Sequence, residues 1–225
     1  MPHHPDRGPD PRPNPGPNPR PNRGRTRPVH PWPLRLMHWL NATAIVVMVM
    51  SGWQIYDASP LFGFSFPGRI TLGEWLGGAI AWHLAAMWLL VLNGVAYLAW
   101  GSLNGHFRRR LRPPGPREVW RDTILALTFR LDHRHGVYNA VQRALYLAVI
   151  AFGVLAVASG LAVWKPVQLW FLSDLFGGFR ASRYVHFFAM AGIVGFLAVH
   201  LMLVALVPKV LPPMITGGRL SEDAP

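Results

Sequence analysis

Four apolar runs, residues 36–56, 76–100, 144–164 and 184–207, constrain this 225-residue chain more than any other feature. Each reaches the ~20 residues an α-helix needs to cross ~30 Å of hydrocarbon. None contains Asp or Glu. Lipid offers backbone groups no water to bond, so such runs cross as helices. The expected fold class is all-α, an integral membrane four-helix bundle. Residues 1–29 hold ten prolines among Asn, Gly and Arg. That composition builds no packed core and reads as a disordered Pro/Arg-rich tail. No cleavable apolar region with a small-residue exit follows it, so a secretory signal is not expected there. The membrane domain is expected over 30–215, with a C-terminal tail over 216–225.

The net charge of +12 invites a nucleic-acid reading, but its distribution points to a membrane. Of 22 basic residues, seven lie in 1–35 and nine in 101–143, followed by Lys209 and Arg219. Loops 57–75 and 165–183 share only Arg69, Lys165, Arg180 and Arg183. The positive-inside rule then places both termini and the middle loop in the cytoplasm. Four spans with both ends inside are self-consistent, and the expected location is the bacterial cytoplasmic (inner) membrane. The chain has no cysteine, which excludes disulfides, thiolate chemistry and covalent Cys-x-x-Cys-His haem attachment.

Ionisable side chains inside spans are expensive and mark function. His38 lies in the first run, His83 in the second, and His186 and His200 in the fourth. In a helix the fourteen residues from His186 to His200 make nearly four whole turns and rise ~21 Å. Following the chain through the membrane puts His38 and His200 at the inner level, and His83 and His186 at the outer level. Two imidazoles facing each other across an iron are the axial ligand set of a b-type haem. Four-helix bundles build cofactor sites from facing side chains in this way. Two haems b, held by His38, His83, His186 and His200, are therefore expected. Gly52, fourteen residues after His38, and Gly94, eleven after His83, share a face with those histidines and would leave room for a macrocycle edge. A histidine proton relay would call for acidic partners within the spans, and there are none.

The other segments say less. Asn41 is polar within an apolar run and should bond to a neighbour. Loop 57–75 is rich in Phe and suits either the membrane interface or a partner subunit. Pro116 to Arg130 suggests an amphipathic surface helix with Val119, Trp120, Ile124 and Leu127 on one side. His133-x-His135 sits in an open loop without the supporting shell a metal site needs. The third run, with Gly153 and Gly160, looks like a packing helix. Pro208 should end the fourth helix, and Pro212-Pro213 should prevent its continuation.

The segments Arg35-Leu36-Met37-His38-Trp39, Ser51-Gly52-Trp53, Trp82-His83, Tyr138-Asn139-Ala140-Val141-Gln142-Arg143 and Lys165-Pro166, with His186 and His200, resemble the bacterial cytochrome b561 and nickel-hydrogenase cytochrome b superfamily. Within it the chain is most similar to thiosulfate reductase-type cytochrome b subunits, partners of molybdopterin oxidoreductases. The resemblance implies an electron-transfer subunit rather than an enzyme, exchanging electrons between a separate periplasmic catalytic subunit and the quinone pool. Hydrogenase and formate dehydrogenase partners fit the same pattern. The respiratory formate dehydrogenase gamma subunit is similar in its ligand spacing and has an asparagine beside its quinone. This implies Asn139 and the edge of His200 as quinone contacts, although Val141 stands where that motif has glycine. Arg35 and Arg143 at the inner level, with Lys165 and Arg183 at the outer, are propionate partners or interfacial anchors. The competing expectation is a haem-free membrane anchor or transporter; a self-contained transmembrane reductase is a third.

Overall fold

The computed structural model describes residues 31–103, 113–128 and 139–218. The N-terminal tail, His133, His135 and Tyr138 lie outside the described residues. Among the described residues the structure is helical, without strands. Four helices are long and apolar enough to cross a membrane: α1 (Trp32–Ala58), α2 (Leu76–Leu103), α4 (Ala140–Trp164) and α6 (Phe179–Leu206). Between them lie α3 (Pro116–Leu127) and α5 (Trp170–Leu175), and α7 (Leu211–Thr216) follows. The four long helices cover the four apolar runs except for Val207 and extend them by up to five residues.

The bundle is two antiparallel hairpins, α1 on α2 and α4 on α6. Their seams are lined by small residues. Ala79, Ala162, Ala189, Ser51, Ser159 and Ser182 are completely buried. Small side chains let helix backbones approach closely, which drives association where lipid removes the hydrophobic incentive. Gly192 serves the same end, because a Cβ there would sit 2.7 Å from the Phe152 ring. Large apolar side chains such as Leu92, Val95, Val154 and Leu201 point outward, as suits helices solvated by lipid. Asn41 finds the partner expected of it: Asn93 Nδ2 donates to Asn41 Oδ1 at 2.8 Å and to the Met37 carbonyl at 2.7 Å. This polar clamp fixes the register of α1 against α2.

The two hairpins meet through side chains more than backbone. At the end bearing loops 57–75 and 165–178, the loop end, Phe62 and Tyr56 pack on Phe187 at 5.2 and 5.4 Å between ring centroids. The Phe-rich loop thus spends much of its apolar surface on its own bundle: Phe66 stacks on Trp53 at 4.7 Å, and Thr71 donates to Gln54 at 2.6 Å.

At the other end, the terminus end, α6 stops at Leu206. It is not continued past Pro208, as expected, and Pro212 and Pro213 fall in a separate short helix. They occupy the first turn of α7, where missing amide hydrogens cost nothing. α7 turns back onto α1, where Arg35 donates to the Ile215 carbonyl and Trp39 Nε1 to Met214 O at 3.3 Å. Nearby, α3 carries an outward Trp120 and Ile124 and is tied to α4 by Asp122, which accepts from Ala140 N at 2.9 Å.

Candidate functional site

The four intramembrane histidines stand as two pairs. His83 on α2 faces His186 on α6 at the loop end, with ring centroids 6.2 Å apart and planes at 69°. His38 on α1 faces His200 on α6 at the terminus end, with centroids 6.1 Å apart and planes at 63°. A metal bound at ~2.0–2.1 Å to each of two imidazole nitrogens separates those nitrogens by about 4 Å and the ring centroids by roughly 6 Å. Both pairs have that separation. The planes are free to take any mutual angle about a shared ligand axis.

The loop-level pair is held from behind. His83 Nδ1 lies 3.1 Å from the Met48 carbonyl and 3.1 Å from Ser51 Oγ. His186 Nδ1 lies 2.9 Å from the Ala156 carbonyl and 3.3 Å from Ser159 Oγ. A carbonyl only accepts, so each Nδ1 carries the hydrogen and donates. In a neutral imidazole the Nε2 lone pair is then left for a metal. This is the outer-shell arrangement that orients metal-binding histidines.

Each serine is followed by a glycine whose open side the ring occupies. A Cβ on Gly52 would lie 3.3 Å from His83 Cε1, and one on Gly160 3.0 Å from His186 Cε1. Gly52 therefore makes room for the ligand ring itself rather than for a macrocycle edge. The reason is the antiparallel stagger, which sets Gly52 directly opposite His83. Gly94 by contrast faces open space: a Cβ there would meet no described atom within 4 Å. Nor is α4 simply a packing helix: its Ala156, Ser159 and Gly160 form the cradle of His186.

The two hairpins thus repeat one device: a carbonyl, a serine three residues on, and a glycine after it, all facing a histidine on the second helix. The repeat stops at the terminus level. Fourteen residues before Gly160 stands Tyr146, and fourteen after His83 stands Tyr97. There the histidines come from α1 and α6. Trp39 lies edge-on to His38 at 5.5 Å, and Phe196 stacks on His200 at 6.0 Å.

The remaining expected residues all have roles within the chain. Asn139 caps α4: its side chain accepts from Gln142 N at 2.8 Å, while Gln142 Oε1 accepts from Asn139 N at 3.3 Å. No hydrogen bond joins Asn139 to His200 among the described residues. Arg143 pairs with Glu118 at 3.1 Å. Arg35 donates to the Ile215 carbonyl and Arg183 to the Ser59 carbonyl. Lys165 Nζ sits 5.0 Å above the Trp164 ring. Ser51 enters the sequence reading only as part of the Ser51-Gly52-Trp53 segment, with no role given to it, and Ser159 not at all. A serine bonded to its own helix leaves no mark in the sequence, and the histidine each one touches lies 32 or 27 residues away.

Comparison with known proteins agrees with this architecture. Residues 29–217 match the family model described as prokaryotic cytochrome b561. A protein of Azospira oryzae named putative protein-methionine-sulfoxide reductase subunit YedZ1 is 49% identical over 84% of this chain and 96% of its own length. Probable Ni/Fe-hydrogenase B-type cytochrome subunits of Azotobacter chroococcum and Cupriavidus necator are 24% and 25% identical, each over 87% of this chain and 89% and 87% of their own lengths. The chain belongs to the prokaryotic cytochrome b561 family: it is a membrane cytochrome b that serves as an electron-transfer subunit.

Proposed function

We propose that the chain binds two haems b, one between His83 and His186 and one between His38 and His200. It thereby carries electrons across the bacterial inner membrane between a periplasmic catalytic subunit and the quinone pool. The observation that carries this reading is the ~6 Å spacing of both imidazole pairs, with the loop-level Nδ1 atoms tied to carbonyls. Bound at the two levels, haem supplies a one-electron couple at each.

The chain's own residues do the rest. The histidines would hold the iron of each haem, and the two levels lie ~21 Å apart along α6. Lipid-facing Leu, Val and Phe keep water from the path. Arg35 and Arg143 at the terminus level, and Lys165 and Arg183 at the loop level, are assigned to propionates. Arg35 and Arg183 would exchange a neutral carbonyl for a charged acceptor, which makes a stronger bond. Asn139 and the His200 edge are assigned to the quinone. The Asn139 oxygen is engaged in the helix cap, so its amide nitrogen is the donor to a quinone oxygen.

The sparse basic charge of the loop end supports a periplasmic side for it, and that is the side assigned to the catalytic subunit. The name of the 49% relative favours a protein-methionine-sulfoxide reductase as that subunit. Quinol is then the donor and electrons run outward. A hydrogenase as the partner, which the names of the 24–25% relatives suggest, would run the electrons the other way.

The test is anaerobic mixing of the purified chain with a reduced quinol analogue. A reduced b-type spectrum should appear in both haems. A haem-loaded chain that no quinol reduces would overturn the quinone assignment, and a colourless folded chain would favour the haem-free anchor or transporter.

A further inference from the structure

We infer that Ser51 and Ser159 are a matched pair of positioning residues for the loop-level haem, each steering one axial imidazole and together setting that haem's redox potential. This rests on the reading that His83 and His186 ligate one haem.

Both serines are completely buried, so no water competes for their hydroxyls. Each directs its hydroxyl hydrogen to the carbonyl four residues earlier: Ser51 to Val47 and Ser159 to Leu155, both at 2.6 Å. With that hydrogen engaged, the oxygen turns lone pairs outward and accepts from the Nδ1–H of the facing histidine. The imidazole N–H is thus shared between a carbonyl and a hydroxyl oxygen. Two acceptors hold the ring in one plane and one tautomer. They also draw on the N–H bond and make Nε2 a stronger electron donor, which favours the oxidised, more positive iron. Removing an acceptor should therefore raise the potential.

The identical device on α1 and α4 addresses both ligands of the same iron, so the two effects should add. A purely packing role would also select small residues at these seams, and the structure contains its own control for that. Ser182 is equally buried and bonds back to the Gly178 carbonyl at 2.9 Å, but among the described residues it has no bond to a histidine.

The test is redox titration of the purified full-length chain carrying Ser51→Ala, Ser159→Ala, both, or Ser182→Ala. Each single change at 51 or 159 should retain two haems and raise one potential, roughly threefold in the one-electron equilibrium. The double variant should reach about tenfold, ~59 mV. The other haem and the Ser182→Ala protein should be unmoved, and the ferric low-spin EPR signal of the affected haem should shift with its potential. Two retained haems with unmoved potentials in the double variant would overturn the inference. So would a shift confined to the haem that survives in His83→Ala.

If an alanine variant fails to accumulate, Ser51→Cys and Ser159→Cys, which keep a weak acceptor, should show a smaller rise; unmoved potentials there also overturn it. A wild-type chain without two haems would instead defeat the underlying reading.

Discussion

A histidine placed in a lipid-crossing helix must have its second nitrogen answered, and here the answer is drawn from the neighbouring helix's own backbone. The Met48 and Ala156 carbonyls accept from Nδ1 in spite of being parts of regular helices. What allows so close an approach is the missing side chain at Gly52 and Gly160. The tighter of the two is Gly160, where a methyl group would sit 3.0 Å from His186 Cε1. Gly160→Ala should therefore displace the ring, at a cost of about 1–3 kcal/mol for overpacking. The expected outcome is loss or weakened binding of one haem, read from the absorbance per chain, with the other retained. The four histidines themselves are legible in the sequence, because ionisable groups stand out in apolar runs. Their serine partners are not. Serine in a helix seam is equally compatible with mere smallness, and only the fold brings it to the imidazole.

At the scale of elements, the hairpin α1–α2 is pinned by a polar contact and α4 by its start. Asn93, nearly buried, gives its two amide hydrogens to Asn41 and Met37. Asn93→Ala leaves the Asn41 oxygen without its donor and should cost about 1–3 kcal/mol, measurable as a lower Tm of the detergent-solubilised protein. Asp122 reaches from α3 to the first amide of α4 and so anchors the surface helix to the bundle. Asp122→Ala should cost about 0.5–2 kcal/mol, as other lost helix caps do. Hydrogen exchange should quicken in the first turn of α4 and along α3, while α1 and α2 stay protected.

The four spans are legible because their length alone decides them. Their ends are not, since the helices run past the apolar runs into residues that satisfy the backbone equally well outside lipid. The fourth helix ends before Pro208 as expected, but the short helix after it is not legible in the sequence. Proline blocks the continuation of a helix but suits its first turn, and Pro212 and Pro213 stand in the first turn of α7.

For the whole molecule, two close-packed hairpins joined chiefly through side chains bring the four histidines together in two pairs between them. That pairing follows from four antiparallel passes and is legible from depth alone. The device repeated on both hairpins is not, because its parts are single small residues. Orientation can be tested cleanly, because the chain has no cysteine of its own. Gly63→Cys, in the loop-end segment, should react with an impermeant maleimide added outside spheroplasts, whereas Gly115→Cys should react only after lysis. The opposite pattern would invert the proposed direction of the electron path.

The central proposal, two bis-histidine haems stacked across the membrane, is tested most directly by haem content. Wild-type protein should hold two haems b per chain, and each of His38→Ala, His83→Ala, His186→Ala and His200→Ala should hold one. The His83 and His186 variants should retain the same haem, with the same potential, and the His38 and His200 variants the other. A folded chain without haem, or a His83 variant and a His186 variant that retain different haems, would contradict it.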